Sequence, residues 1–121
     1  GRCSNKKMYV LMKASKVFVF PSVFEGWGLA VAEALACGLP AVCYNIPALN
    51  EVFGDCQSVF LVPIGDIKKL AQTTLDVLRK NKTEKFAEIS MTFVKRFDWK
   101  KVTRKDLEII QNLLSPSHSF A

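Results

Sequence analysis

Histidine is nearly absent from this chain: His118, in the tail, is the only one. The cysteines are four, Cys3, Cys37, Cys43 and Cys56, and no two are separated by a two-residue spacer. Without a Cys-x-x-Cys pair or a nearby histidine, zinc and disulfide frameworks are not expected, and free thiols in a reducing compartment are. No metal site is expected either. No stretch reaches the roughly 20 apolar residues that cross a bilayer, and no signal peptide is visible in the sequence. Repeats, low-complexity tracts and interdomain linkers are missing, and no nucleic-acid motif is present. Acidic residues are in deficit, 11 against 17 Lys and Arg, for a net charge of +6. Such a balance suits anionic partners: nucleic acid, a membrane surface or nucleotide phosphates.

What the chain does have is apolar residues, half of its 121 positions. That length suits one domain with a modest core. Val17 to Phe20 is a short β-branched and aromatic run closed by Pro21, which predicts a strand buried on both faces. Leu29 to Cys37 predicts a helix, with Gly38 as its C-terminal cap and Pro40 as its stop. Ala41 to Tyr44 reads as a second buried strand. Strand, glycine loop, helix and strand in that order make a βαβ unit of a parallel sheet. The predicted class is therefore α/β, a Rossmann-like parallel sheet of three or four strands flanked by helices. Missing neighbours would leave an apolar strand edge or face exposed.

Further along, Tyr9 to Ala14 predicts a short helix and Ala48 to Phe53 a helical turn ended by Gly54 and Asp55. Ser58 to Val62 predicts a third strand. Asp66 suits the N-cap of a helix to Arg79, with Leu70, Leu75 and Leu78 facing the core. Thr83 suits the cap of a helix to about Lys95, with Phe86, Ile89 and Phe93 inward. Asp98 suits the cap of a last helix to about Leu114, and 115–121 reads as a loose tail. In that last helix Val102, Leu107, Ile110, Leu113 and Leu114 follow helical spacing. Lys95, Arg96, Lys100, Lys101, Arg104 and Lys105 surround them. This pattern predicts a packed helix with a solvated basic face; the competing reading is contact with anionic lipid.

The candidate site is Glu25-Gly26-Trp27-Gly28-Leu29, followed by Glu33. Glu33 stands in an otherwise apolar segment, where burying a charge is costly unless something bonds to it. A buried ion pair with Lys or Arg would satisfy it as well as a ligand would. A helix beginning at Leu29 aims its first free amides and its positive pole into the loop. Gly26 and Gly28 would let a ligand approach the backbone, which is a usual way to hold phosphate. Glu33 then lies about 6 Å up the axis, at about 1.5 Å per residue. Like charge keeps Glu25 and Glu33 off a phosphate, but both accept hydrogen bonds from hydroxyl groups. A ligand with phosphate in the middle and hydroxyls on either side, such as a nucleotide sugar, fits. Trp27 either lines that pocket or packs on the sheet. Ser22 suits a local turn role, Glu51 and Asp66 suit caps, Asp55 a turn, and the cysteines suit core filling.

These residues also carry a family resemblance. Val17-Phe18-Val19-Phe20-Pro21-Ser22, Glu25-Gly26-Trp27-Gly28-Leu29 and Glu33-Ala34-Leu35-Ala36-Cys37-Gly38-Leu39-Pro40-Ala41-Val42 resemble the nucleotide-sugar-binding domain of GT-B glycosyltransferases. The likeness is nearest to the retaining group-1 family and its paired-glutamate signature, matched by Glu25 and Glu33. It continues through Pro47 to Val52, Gly54-Asp55 and Pro63 to Asp66, and ends near Phe97-Asp98-Trp99. It spans roughly 9–114.

The resemblance implies that the residue at Glu33 bonds the donor ribose and that at Glu25 contacts the transferred sugar, so Glu25 is the candidate catalytic residue. It implies that the backbone of Gly26, Trp27, Gly28 and Leu29 approaches the sugar and diphosphate. It implies hexose transfer to a hydroxyl acceptor with retention, usually without a metal and with no cofactor beyond the donor itself. Two departures stand out. The basic pair that grips the diphosphate lies upstream of the first aligned strand in the family and is not in this chain. Pro47 and Ala48 stand where many members have two glycines. A complete GT-B enzyme has two Rossmann-like domains, so residues 1–114 read as a fragment of the C-terminal, donor-binding one, lacking its acceptor-binding partner. The expected setting is cytoplasmic, with a peripheral contact to anionic membrane. The rival readings are a GT-B relative of other chemistry and a non-catalytic remnant or regulatory nucleotide-sugar-binding module. A nucleic-acid partner is not expected.

Overall fold

The computed structural model describes residues 3–80 and 83–114. The expectation of a loose tail at 115–121 lies outside them. Helix α1 (Asn5–Ala14) leads into strand β1 (Phe18–Phe20), followed by α2 (Leu29–Ala36), β2 (Ala41–Tyr44), α3 (Pro47–Phe53) and β3 (Val59–Val62). Then come α4 (Ile67–Arg79), α5 (Thr83–Val94), a 3-10 turn at Lys95–Phe97, and α6 (Trp99–Leu114). The strands form one parallel sheet in the order β1-β2-β3, with Phe18 beside Ala41 and Ala41 beside Val59. The α/β class and the three parallel strands agree with the sequence reading.

The middle strand has all four residues buried, so both of its faces are covered. The helices that contact it are α2 and α4, and α5 packs against α2. Val31, Leu35, Leu49 and Phe53 are fully buried beneath them. Gly38 ends α2 with φ 82°, and a Cβ there would stand 3.1 Å from the Ala87 methyl of α5. Glycine is therefore required both by the left-handed turn and by the close helix crossing.

Four expectations are corrected. The first strand is not buried on both faces: it lies at the sheet edge and Val19 is 40% exposed. A three-stranded sheet has two edges, and a continuous apolar run does not say which strand sits at one. In α4, Leu70 and Val77 are buried but Leu75 and Leu78 are not. Positions 70 and 77 share one face, whereas 75 and 78 fall on its flank, where no neighbouring element covers them. The last helix is not packed, because every residue of α6 is exposed except the half-buried Val102. Finally, the cysteines are not all core filler: Cys43 and Cys56 are buried, but Cys3 is exposed and Cys37 partly so. Burial pushes the Cys43 thiol up to about 12.

One buried polar cluster ties α5 to the sheet. Ser90 lies fully buried, its hydroxyl 2.7 Å from Ser58 Oγ and 3.2 Å from the Leu39 carbonyl oxygen. Ser58 Oγ is in turn 3.2 Å from Cys56 Sγ. Buried hydroxyls are costly unless bonded, so this trio fixes one seating of α5 on the entrances of β2 and β3.

Candidate functional site

The loop between β1 and α2 lies beyond the carboxyl end of a parallel strand, where such sheets place ligands. Ser22 holds its start: the hydroxyl donates to Glu25 Oε1 at 2.7 Å and is 3.0 Å from the Phe24 carbonyl. Its role is local, and it fixes one oxygen of a candidate site residue.

The two loop glycines differ. Gly28 has φ 95° and is the N-cap of α2. A Cβ there would collide with Leu49 and stand 3.1 Å from the Phe53 ring. Gly28 is thus required by backbone conformation and packing. Gly26 has no protein atom within 4 Å of where its Cβ would be. Nothing in the fold demands glycine there.

No side chain caps α2. The Gly28 carbonyl accepts from Val31 and Ala32, and among the described residues no backbone acceptor takes the amides of Leu29 and Ala30. Two free donors at the positive end of a helix form a place suited to an anion.

Trp27 both packs and lines a cavity, so the two readings of it are not exclusive. Its ring meets Phe53 edge-on at 5.4 Å and Phe97 at 4.9 Å. It also lines two open recesses. One, of about 430 Å³, is lined by Glu25, Gly26, Trp27, Pro47, Ala48 and Glu51, among others. The other, of about 870 Å³, is lined by Trp27, Leu29, Glu33, Lys95, Phe97 and Lys100, among others. Both volumes fall in the roughly 300–1,000 Å³ range of small-molecule sites. The structure therefore brings Glu25 and Gly26 together in one recess, and Leu29 and Glu33 in the other. Gly28 lines neither recess. Glu51, assigned a capping role above, is exposed and shares the recess of Glu25.

Glu33 is not in an ion pair. It is partly buried, and its Oε1 accepts a hydrogen bond from the Tyr9 hydroxyl at 3.2 Å. The carboxylate's charge, and then this bond, raise the phenol of Tyr9 above its ordinary value. Sequence reasoning missed Tyr9. It lies 24 positions away on another helix, and no local pattern marks it.

The one ion pair among the described residues is elsewhere. Arg96 donates to both oxygens of Asp55, at 3.0 and 2.9 Å, and to the Val52 carbonyl at 2.8 Å. Its guanidinium also stacks 3.7 Å above the Phe93 ring. Arg96 is thus paired while still exposed, and Asp55 is more than a turn residue. The hydrogen bonds from Arg96 hold the Asp55 carboxyl below the usual carboxylate range. This clasp anchors the 3-10 turn, and with it Phe97, against the end of α3 beside Trp27.

Among the described residues no three His, Cys, Asp or Glu side chains gather as metal ligands, and no helix is long and apolar enough to cross a membrane.

A family model described as glycosyl transferases group 1 matches residues 1–92. Among curated proteins, the chain is 31% identical over 108 residues to O-antigen chain mannosyltransferase B of Escherichia coli, covering 88% of this chain and 28% of that protein. It is 28% identical over 115 residues to phosphatidyl-myo-inositol mannosyltransferase of Mycobacterium leprae, covering 93% and 31%. It is 35% identical over 96 residues to a UDP-Gal:alpha-D-GlcNAc-diphosphoundecaprenol alpha-1,3-galactosyltransferase of Escherichia coli, covering 73% and 24%. The chain thus spans less than a third of the length of these relatives.

Proposed function

The chain belongs to the group 1 glycosyl transferases, and from that premise we propose that it is the donor-binding part of a retaining GT-B enzyme. The whole enzyme transfers a hexose from a nucleotide diphosphate sugar to a hydroxyl acceptor. The observation that carries this reading is the uncapped N-terminus of α2, beside two recesses that share Trp27, one lined by Glu25 and the other by Glu33. The amides of Leu29 and Ala30 take the diphosphate, whose charge the helix end favours. Glu33 accepts from the ribose hydroxyls, and Glu25, held by Ser22, accepts from hydroxyls of the transferred sugar. Gly26 leaves room for the sugar beside the backbone.

In this arrangement the chain's work is binding and orientation. As the sugar–phosphate bond breaks, negative charge grows on the leaving diphosphate, and the α2 amides stabilise that charge more in the transition state than in the ground state. Glu25, as the proposed catalytic residue, steadies the ring at the reacting carbon. The leaving phosphate itself takes the acceptor's proton, so no general base is asked of this chain. Relatives named as mannosyl- and galactosyltransferases support hexose as the transferred group. The acceptor is bound by a second domain. The exposed apolar arc of α6, with Trp99 at 79% and Leu113 at 73%, offers a surface for such a domain or for the face of an anionic membrane.

The test is calorimetric titration with UDP, GDP, UDP-galactose and GDP-mannose on wild type and Glu33→Ala. Micromolar to millimolar binding that Glu33→Ala weakens by tenfold or more supports the donor site at α2. A folded wild type that binds none of the four overturns it. Binding without any turnover when the rest of the enzyme is supplied would favour the regulatory-module reading.

A further inference from the structure

Helix α1 buries no residue of its own, yet it places one hydroxyl against the candidate site. Tyr9 reaches across from α1 and donates to Glu33 Oε1 at 3.2 Å. Among the described residues nothing else bonds the Glu33 side chain, and no cation pairs with it. Glu33 stands one turn into α2 and lines the larger recess together with Trp27, Lys95 and Lys100. A glutamate has several rotatable bonds and, in an open recess, would sample many positions. Fixing one oxygen selects among them at little energetic cost, because the other oxygen keeps its full capacity to accept.

We propose that Tyr9 is a positioning residue for donor binding: its hydroxyl holds one oxygen of Glu33, which leaves the second oxygen oriented to accept from the hydroxyls of the nucleotide sugar. The proposal rests on the donor-site reading above and adds a residue from outside the βαβ unit to it. The hydroxyl makes the contact with Glu33, while the Tyr9 residue as a whole is more than a third exposed. The bond also accounts for the perturbed Tyr9 phenol, whose ionisation beside a carboxylate would put two negative charges together.

The experiment compares wild type, Tyr9→Phe, Glu33→Gln and the double variant in two measurements. The first is ultraviolet titration of tyrosinate. The wild type should show one tyrosine ionising above the ordinary range. That step should vanish in Tyr9→Phe and move back down in Glu33→Gln, where the neighbouring charge is gone. An unchanged titration in Glu33→Gln overturns the contact. The second is calorimetric binding of UDP-galactose and GDP-mannose at neutral pH. Tyr9→Phe should weaken the better ligand by about 3- to 10-fold, the loss of one hydrogen bond's contribution, with the melting temperature unchanged. The double variant should bind no more weakly than Glu33→Gln alone, because both changes disable one unit.

If Tyr9→Phe lowers the melting temperature but binds as wild type, the contact is only structural and the proposal falls while the donor site stands. If Glu33→Gln itself binds as wild type, or if wild type binds neither sugar nucleotide, the donor site falls and the proposal with it.

Discussion

All four residues of β2 are buried, whereas of the sixteen in α6 only Val102 is even partly so. Both segments carry ample apolar side chains. The strand finds a neighbour on each edge and a helix contact on its faces, and its four residues disappear from water. The helix touches only the 3-10 turn before it to any extent, so Ile110, Leu113 and Leu114 stay exposed. An apolar arc is a capacity for burial, and whether it is used depends on a partner surface. The site follows the same division. Its frame, from Gly28 to Phe53, is built into the packed unit. Its outer wall, from Phe97 to Lys100, belongs to the thinly packed end and is kept in place by the Arg96–Asp55 clasp.

The contrast can be broken most strongly at Phe53. It is fully buried and touches the Trp27, Phe93 and Phe97 rings at 5.4 to 6.2 Å. Phe53→Ala should cost about 3–5 kcal/mol in denaturant-induced unfolding. It should also loosen the Trp27 wall, seen as a change in indole fluorescence.

A smaller effect separates the two glycines. Gly28→Ala must strain a left-handed residue and push against Leu49, and should destabilise by about 1–3 kcal/mol. Gly26→Ala meets no protein atom and should leave stability within about 0.5 kcal/mol. If Gly26→Ala nevertheless weakens nucleotide-sugar binding, the ligand comes as close as the donor-site reading requires. Equal stability losses at the two positions would erase the distinction.

The smallest effect belongs to α6. Leu113→Ser should change unfolding free energy by no more than about 0.5 kcal/mol, and it should reduce self-association or adhesion to anionic vesicles where either occurs. A loss of several kcal/mol would mean that α6 is packed in solution.

Much of this organisation was legible in the chain. The βαβ order, the start of α2 at Leu29, the Asp66 cap and the inward face of α5 follow from local signals: period, capping side chains, glycine and proline. Asp66 indeed accepts from the Lys69 amide at 2.8 Å. The candidate loop was legible as well, because glycines and carboxylates at that spacing before a helix carry their own chemical logic. Long-range pairings were not legible. The Tyr9–Glu33 and Arg96–Asp55 bonds join residues 24 and 41 positions apart, and nothing nearby in sequence distinguishes the side chains that meet.

By itself, then, the sequence determined the order and type of the helices and strands and that the sheet is parallel, and it singled out the β1–α2 loop as the candidate site, although it began α1 at Tyr9 where the helix starts at Asn5. These depend on interactions within a few residues or on one repeating period. Only the tertiary structure decided that β1 is an edge, that Leu75, Leu78 and α6 remain in water, and that Gly28 serves packing while Gly26 faces open space. It also decided that the partner of Glu33 is a phenol. Burial and bonding of this kind are set by which surfaces meet in three dimensions, and the same apolar or carboxylate side chain is satisfied by many different neighbours.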